Sequence, residues 1–368
     1  MARLYTVIIL FFSLPVAAQK KQPDTVRKYL TSDLHFTTRA NMDFPALAIR
    51  QPEDRWLLVS AYRDTNVLLR AWFRDEALTI KEGPFVLYHP KRIKAIEGTY
   101  IDNVRQGLWK AWHPNGQLKD SGAILNNYLV GRWYSWNDSG KLQSITSYLH
   151  PDSIPGLIVA EFDPKDKFRS IMAGDKTTSI LDGPTITFHS DGSPKDSGQY
   201  VKESKEGIWK TWNKGGTPES MGTYVHNSPQ GEWEYYHPNG QRSTREVYAN
   251  GKVVKLDCYD EQGNFTGNAC PIQKPPVAQG RFLDFEKYML DNIFWPTELK
   301  RSDIQGDVTV TFTISATGEM KDFRIIRSPH EAMSREVTEF FKKQKWSPAV
   351  SHNRLIEFTV KYNIPFYR

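Results

Sequence analysis

Glycines recur in this chain at a fixed interval. Gly83, Gly107 and Gly131 lie 24 residues apart, and Gly183 opens a second series with the same spacing 100 residues later, continued by Gly207 and Gly231. Self-similarity at a period of about 20–50 residues is the signature of repeat architectures, in which each unit packs on its neighbours. The spacing therefore predicts a repeat protein and argues against a fold built around an enzyme pocket.

Each regular unit reads as an aromatic strand that runs into a glycine turn, as in Gly107-Leu-Trp-Lys-Ala-Trp-His-Pro-Asn-Gly116. The chain then returns through a Gly-x-Tyr pattern, clearest at Gly98, Gly198 and Gly222. A strand, an Asn-Gly-type turn and a second strand form a β-hairpin. About eight such units are predicted, in two blocks of four, with diverged units near Trp56 and Gly156.

Aromatic residues recur in register with these glycines. A lone hairpin is marginal in water because it cannot bury its apolar face, so stacked hairpins are expected to bury a shared stripe of tryptophans. Core packing is the favoured interpretation of the aromatics, and a sugar-stacking or lipid-binding face stays open as the alternative. The repeat aromatics are Trp109, Trp112, Trp133, Trp136, Trp209, Trp212, Trp233 and Tyr236.

These G-x-W and G-x-Y elements resemble the MORN-variant repeat, which also occurs in bacterial antitoxin-like proteins. The resemblance covers roughly residues 55 to 267, and the repeat domain is placed at 55–270. Such repeats serve mostly as scaffolds, so the resemblance implies an architecture and leaves function open.

The first residues have the anatomy of a secretory signal peptide. Arg3 precedes an apolar run and a Val16-Ala17-Ala18 site. The apolar stretch from Leu4 to Ala18 spans 15 residues, whereas a membrane-spanning helix needs about 20. We therefore expect residues 1–18 to be cleaved, a lead-in at 19–54 and a periplasmic protein; an uncleaved segment would tether it to the inner membrane.

Two cysteines, Cys258 and Cys270, are present in the sequence. In an exported protein such a pair indicates a disulfide, here one that closes the last repeat. The net charge of +6 is spread without a basic cluster, so nucleic-acid binding is not indicated.

The search for catalytic chemistry is negative. No nucleophile motif or phosphate loop is found, so no enzyme activity and no cofactor are predicted. In several units a histidine lies six residues after the unit glycine, so stacked units could align these histidines in a row of metal ligands. Asparagine takes the same position in other units. A polar turn residue explains both, and no metal site is predicted. The positions are His89, His113, Asn137, His189, Asn213 and His237.

After a proline-rich linker at 271–280, the pattern changes to that of a second domain at 281–368. Apolar spacing predicts a helix from Phe282 to Ile293 and another over 331–343. Alternation predicts a hairpin around Gly318 and a final strand from Leu355 to Ile364. The fold class is thus mainly β: an open stack of hairpins followed by a small α+β domain of two helices and three antiparallel strands.

This order, with its motif residues, resembles the C-terminal domain of TonB proteins. The motif positions are Trp295, Pro296, Gly306, Gly318, Trp346, Pro348 and Ala349. The chain departs from the family where a tyrosine is usual before Pro296, and where the family's Asn-Gly appears as His352-Asn353-Arg354, without glycine. A different turn is therefore expected before the last strand.

The resemblance implies a domain that accepts the TonB box, a short extended segment of an outer-membrane receptor, alongside its final strand. Physically this is β-augmentation, in which an open strand edge supplies backbone hydrogen bonds. The alternative is that this strand is only the edge of a small sandwich. Carried over by position, the pairing residues are Ile356, Glu357, Phe358, Thr359, Val360, Lys361 and Tyr362.

Energy-transducing TonB proteins keep an N-terminal helix that contacts ExbB and ExbD, followed by a long proline-rich spacer. This chain has a predicted signal peptide and repeats instead, so ExbB and ExbD are expected partners only if residues 1–18 are retained. Two hypotheses follow. The first is a receptor-binding protein of outer-membrane transport. The second is an envelope scaffold whose repeats bind glycan, lipid or protein, with the C-terminal domain as a docking module. An antitoxin-like role is a third, disfavoured by the export signal.

Overall fold

The computed structural model describes residues 25–64, 66–150, 153, 179–280 and 284–367. The predicted signal peptide and the diverged unit at Gly156 lie outside the described residues. The chain divides into two compact units. The first runs to Val130 and includes 138–140 and 150–179; the second comprises 131–137, 141–149 and 180–368.

The first unit is an antiparallel meander, in which each strand pairs with the next along the chain. Its strands are β1 (Thr25–Leu30), β2 (Phe44–Arg50), β3 (Trp56–Ala61), β4 (Val67–Phe73), β5 (Lys81–Tyr88), β6 (Lys94–Ile101), β7 (Val104–Trp112) and β8 (Leu118–Leu125). A short 3-10 helix lies at Arg39–Asn41, and turns with left-handed residues lie at Pro52–Asp54 and Pro90–Arg92. The strand β9 (Tyr128–Trp136) crosses the boundary between the units.

The second unit continues the hairpins. β10 pairs with β9, β11 and β12, and from β12 each strand pairs antiparallel with the next. These strands are β10 (Leu142–Leu149), β11 (Ile180–Leu181), β12 (Gly183–Phe188), β13 (Pro194–Val201), β14 (Ser204–Trp212), β15 (Pro218–Val225), β16 (Ser228–Tyr236), β17 (Arg242–Ala249), β18 (Lys252–Tyr259) and β19 (Phe265–Gly267). The predicted repeat of β-hairpins is confirmed.

The two glycines of each unit have different tasks. The glycines of the 24-residue series, such as Gly107 (φ 75°) and Gly207 (φ 68°), adopt left-handed backbone inside a strand, which residues with a Cβ rarely adopt. The glycine of Gly-x-Tyr instead leaves room for a ring: a Cβ on Gly222 would lie 2.0 Å from Trp233 Cδ2. Gly98 and Gly198 lie beneath Trp109 and Trp209 in the same way.

The tryptophans above these glycines form the core of the hairpin stack. Trp109, Trp209 and Trp233 are 3–4% exposed, and the tyrosine of Gly-x-Tyr packs edge-on against each ring, as in Tyr224–Trp233 with centroids 4.9 Å apart. Trp133 is only partly buried. Each ring joins the return strand of one hairpin to the first strand of the next, so neighbouring units share their stability.

The turn histidines link successive hairpins. Nε2 of His89 lies 2.9 Å from the carbonyl oxygen of Trp112, and Nε2 of His189 lies 2.8 Å from that of Trp212. His237 makes the same contact with Tyr259 at 3.1 Å. Each ring thus binds the strand end of the following unit, which is a more specific task than the polar turn residue that the sequence indicates.

Cys258 and Cys270 form the predicted disulfide. It joins β18 to the segment after β19, the last strand of the hairpin series. A terminal hairpin has a neighbour on one side only, and a crosslink that closes a loop of 12 residues removes about 3 kcal/mol of unfolded-state entropy.

Replacing both cysteines by alanine is therefore expected to lower the free energy of opening of the β18–β19 pair by about 3 kcal/mol. Hydrogen exchange of the backbone amides measures this opening strand by strand. The β13–β14 pair, which lies well before the crosslink, is the internal control and should exchange as in the wild type. Unchanged exchange in β18 and β19 would contradict a stabilising role for the disulfide.

The C-terminal domain contains two helices, one three-stranded sheet and two smaller sheets. The elements are β20 (Gln273–Lys274), β21 (Val277–Ala278), α1 (Phe285–Asn292), a 3-10 turn (Thr297–Leu299), β22 (Gly306–Ile314), β23 (Met320–Arg327), α2 (Glu331–Lys342), β24 (Trp346–Ser347), β25 (Ala349–Ser351), β26 (Arg354–Ile356) and β27 (Phe358–Phe366). The three-stranded sheet has the order β23-β22-β27, and the smaller sheets are β20-β25-β26 and β21-β24.

The core of this domain lies between the sheet and α2. Alternate residues of β22, from Val308 to Ile314, are at most 1% exposed and pack with Met333, Val337 and Phe341 of α2. The first helix begins at Phe285 because the Asp284 side chain caps it by accepting from the backbone N–H groups of residues 286 and 287. Among the helices of the described ranges, none is long and apolar enough to cross a membrane.

The predicted last strand, Leu355 to Ile364, is wrong at its start. Leu355 and Ile356 belong to β26, which pairs with β25, and Glu357 separates them from β27. Alternation of apolar residues runs through this break, so the sequence pattern alone gives no sign of it. The strand that joins the main sheet is Phe358–Phe366.

Candidate partner-binding edge of the C-terminal sheet

β27 forms a regular edge of the C-terminal sheet. It pairs with β22 over nine residues, from Phe358 opposite Ile314 to Phe366 opposite Gly306, without a register shift. Thr309 Oγ1 donates to Asn363 Oδ1 at 2.8 Å and reinforces this pairing. Among the strands of the described residues, β27 pairs with β22 alone. Its outer edge is therefore open to a further strand.

The opposite edge, β23, is shaped differently. Its pairing with β22 shifts register at two places, and Asp322 has a left-handed backbone with φ 52°. Lys321, Arg324 and Arg327 place cations along it. Bulges and charged side chains are the devices by which edge strands avoid pairing with other chains. Of the two edges, β27 is thus the one suited to accept a strand.

The two faces of β27 differ in character. Val360, Tyr362 and Ile364 point to the core, where the Tyr362 ring lies 5.3 Å from that of Phe341. Burial raises the pKa of Tyr362, and the carboxylate of Glu286 raises it further. Thr359 and Lys361 are exposed on the other face. A strand added here would meet an apolar layer on one side and a polar, basic face on the other.

The basic face extends across the whole sheet. Lys361 lies in register with Thr311, and Thr311 lies in register with Arg324 on β23. Thr311 thus has one cation on each side, Lys361 on β27 and Arg324 on β23. Opposite charges on a partner segment would be attracted to the Lys361 end of the row, next to the open edge.

A groove of about 410 Å³ opens beside the first residue of β27. Its lining includes Phe358, Ile356, Val350 and Pro275, with Lys274 among the polar residues. Phe358 is 39% exposed at this end of the strand. The open edge therefore continues into a partly apolar groove.

The structure divides the residues expected to pair with a partner. Phe358, Thr359, Val360, Lys361 and Tyr362 lie in β27. Ile356 lies in β26 and Glu357 lies between the two strands. The length of edge available runs from Phe358 to Ile364, since Pro365 has no N–H group to donate.

The motif residues of the C-terminal domain serve packing and turns. Trp346 and Ala349 are 3% and 1% exposed, and the Trp295 ring packs edge-on against Phe366. Gly318 is in a turn with φ 84°, and a Cβ there would lie 2.4 Å from the backbone oxygen of Trp346. Gly306 begins β22, Pro296 is buried and Pro348 lies between β24 and β25. None of these positions lies on β27.

The second aromatic residue of each repeat is partly buried in the hairpin stack. These residues are Trp112, Trp136, Trp212 and Tyr236. The Tyr236 hydroxyl donates to Glu234 at 2.6 Å, and burial together with this carboxylate raises the pKa of Tyr236 to about 12.

In the part of the chain that the structure describes, no group of three or more histidine, cysteine or acidic side chains could hold a metal ion.

Sequence reasoning missed one cluster, the tip of the β25–β26 hairpin. Where the family has Asn-Gly, this chain has His352-Asn353-Arg354. His352 and Asn353 both have positive φ, 49° and 61°, as the two central residues of a type I′ turn have. The side chains of these three residues contact the repeats. The departure from the family pattern was the available signal.

Comparison with known families agrees with these two parts of the chain. The model for the Gram-negative bacterial TonB protein C-terminal domain matches residues 291–367. The model for the MORN repeat variant matches residues 105–121, 129–150 and 229–250. No curated protein matches the chain significantly. The chain thus combines hairpin repeats of the MORN variant with a C-terminal domain of the TonB family.

Proposed function

We propose that the chain is a non-enzymatic periplasmic protein of outer-membrane transport, and that β27 binds the TonB box of a TonB-dependent receptor. The TonB C-terminal match supports interaction with such receptors in general. Coupling to ExbB and ExbD belongs to this proposal only where residues 1–18 remain attached. With those residues removed, the protein acts as an adaptor or competitor that binds receptors without transducing energy.

The difference between the two sheet edges carries the proposal. β27 is paired without a register shift, and it has one cation, Lys361, between Phe358 and Ile364. β23 is bulged and carries several charges. Main-chain hydrogen bonds give affinity in β-augmentation, and alternate side chains give specificity. A partner segment of about seven residues, apolar on alternate positions, fits the length and the two faces of β27.

The proposal predicts where a bound peptide protects the protein. A panel of synthetic TonB-box peptides, from receptors encoded in the same genome, is added to the full chain and backbone amide exchange is followed. Because half of the β27 amides gain a strand partner, exchange between Phe358 and Ile364 is expected to slow at least roughly tenfold on saturation. Amides of β23 should not change.

The β23 edge is the internal control, since it belongs to the same sheet and differs in its bulges and charges. Protection on β23, or on the repeats alone, would overturn the assignment of the edge. Absence of binding by the whole panel would favour the envelope-scaffold hypothesis.

A further inference from the structure

The turn between β25 and β26 contacts the last repeats through a histidine. Nδ1 of His352 lies 2.7 Å from Oε1 of Glu246 in β17. The His352 ring also stacks on Tyr235 of β16, with centroids 3.5 Å apart and planes within 6° of parallel. One side chain of the C-terminal domain thus makes both an ionic or hydrogen-bonded contact and a ring contact with the hairpin stack.

Glu246 depends on this contact because its side chain is fully buried, with 0% exposure. A buried carboxylate is costly unless donors surround it. Two donors come from its own strand: the Tyr248 hydroxyl at 2.6 Å and the Thr244 hydroxyl at 2.8 Å. His352 supplies a further partner from the C-terminal domain. The repeats therefore contain a buried acid whose set of partners is completed by the docked hairpin.

Other contacts spread around this centre over four strands of the stack. The Ser243 hydroxyl donates to the carbonyl oxygen of His352 at 3.0 Å. Asn353 donates through Nδ2 to the carbonyl oxygen of Tyr259 at 3.0 Å. Arg354, 7% exposed, donates to the carbonyl oxygen of Tyr236 and approaches Glu219. His352, Asn353 and Arg354 thus each place a side-chain nitrogen against β15, β16, β17 or β18.

The backbone of the turn is of the same kind as that of the repeat turns. His352 and Asn353 have φ 49° and 61°, and His226 and Asn227, in the β15–β16 turn, have φ 49° and 64°. Glycine adopts this left-handed conformation freely. The contacts with Glu246 and Tyr235 therefore distinguish the β25–β26 turn, and its backbone does not.

We infer that His352, with Asn353 and Arg354, is a positioning element that fixes the C-terminal domain on the face of the last repeats formed by Tyr235, Ser243, Glu246 and Tyr259. The functional consequence rests on the proposed peptide-binding role of β27. Glu357 alone separates β26 from β27, so a turn held on the repeats also holds the start of the binding strand. The last repeats therefore position the β27 edge through direct contacts, in addition to separating it from the rest of the chain.

The decisive variant is His352→Gly in the full chain. Glycine fits the turn, so the variant removes the ring without disturbing the hairpin. The matched control is Asn250→Gly, at another left-handed turn residue (φ 50°), which is exposed at the β17–β18 turn. Both exchanges relax a turn, and only the first removes a contact between the repeats and the C-terminal domain.

Spin labels at the exposed residues Lys252 and Glu339 report the distance between the repeats and α2, attached by non-cysteine chemistry because both cysteines are paired. The wild type and Asn250→Gly should give one narrow distance distribution, and His352→Gly a broad one. Peptide affinity should fall roughly tenfold in His352→Gly alone, because the peptide must then order the start of β27 itself.

A narrow, unchanged distance distribution in His352→Gly would overturn the inference, regardless of the peptide affinity measured for that variant. Failure of the proposed function looks different: the wild type itself would bind no peptide, while the distance distributions would still separate the two variants. A broad distribution with unchanged peptide affinity would retain the docking contact and overturn its role in positioning β27.

Discussion

A Gly222→Ala variant is expected to lose about 3–5 kcal/mol of stability in the last repeats, as much as removing a buried tryptophan ring. The added methyl group would lie 2.0 Å from Cδ2 and 2.3 Å from Cγ of Trp233. These atoms are at the base of the ring system, so a small rotation cannot clear them. Trp233 is 4% exposed and has to leave its site. Thermal unfolding and amide exchange of β15 and β16 measure the loss.

The physical cause is tested by a double-mutant cycle with Trp233→Leu. If the clash with the ring is the whole effect, Gly222→Ala should cost little in the Trp233→Leu background, and the two changes should be strongly non-additive. Additive losses would show that Gly222 is needed for a reason other than the ring above it.

The hairpin repeat could be predicted from the sequence because its signals are periodic. The left-handed glycine recurs in all four regular units, and the tryptophan two residues after it is buried in three of them. Each unit therefore supports the interpretation of the others. The role of Gly222 could have been predicted in the same way, since the glycine of each Gly-x-Tyr lies at a constant spacing before the next tryptophan of the series. Periodicity shows that a position matters; the contact of Gly222 with Trp233 shows why.

The C-terminal domain was predictable for a different reason. Alternation in β22 and helical spacing in α2 reflect a core between one sheet and one helix, and both elements lie where the pattern predicts them. The break at Glu357 was not predictable, because Leu355 and Ile356 continue the apolar alternation while pairing with β25. Which of two sheets a short strand joins depends on contacts distant in sequence.

The contact between His352 and Glu246 joins positions 106 residues apart and has no periodic signal. Glu246 occupies a strand position that in isolation reads as an ordinary polar residue. Only the departure from the family's Asn-Gly turn marks His352, and it does not indicate a partner. Single long-range pairs of this kind are the part of a repeat protein that its sequence pattern leaves undetermined.

Glu246→Leu is expected to destabilise the last repeats and the attached turn by about 3–5 kcal/mol, because removing one partner of a buried polar cluster leaves the others without an acceptor. Tyr248, Thr244 and His352 would all lose their contact with the carboxylate. Denaturant unfolding of the full chain at neutral pH measures the loss. Glu232→Leu is the matched control: Glu232 pairs with Arg245 on the neighbouring strand, but its side chain is 47% exposed, so little change is expected.

The same carboxylate makes the contact sensitive to acid. Burial alone would raise the pKa of Glu246, but the hydrogen bonds from His352 and Tyr248 outweigh it and hold the pKa below its ordinary value of 4.5. A carboxyl group with a lowered folded-state pKa stabilises the protein fully above the unfolded-state pKa, and this contribution is lost as the pH falls through the folded-state pKa. Stability of the wild type should therefore decline more steeply below about pH 4.5 than that of Glu246→Leu. Parallel pH profiles for the two proteins would show that folding does not change the pKa of Glu246 and would contradict the lowered value. A wild type that instead loses stability as the pH rises through about 4.5 would show that the buried carboxyl is protonated in the folded state.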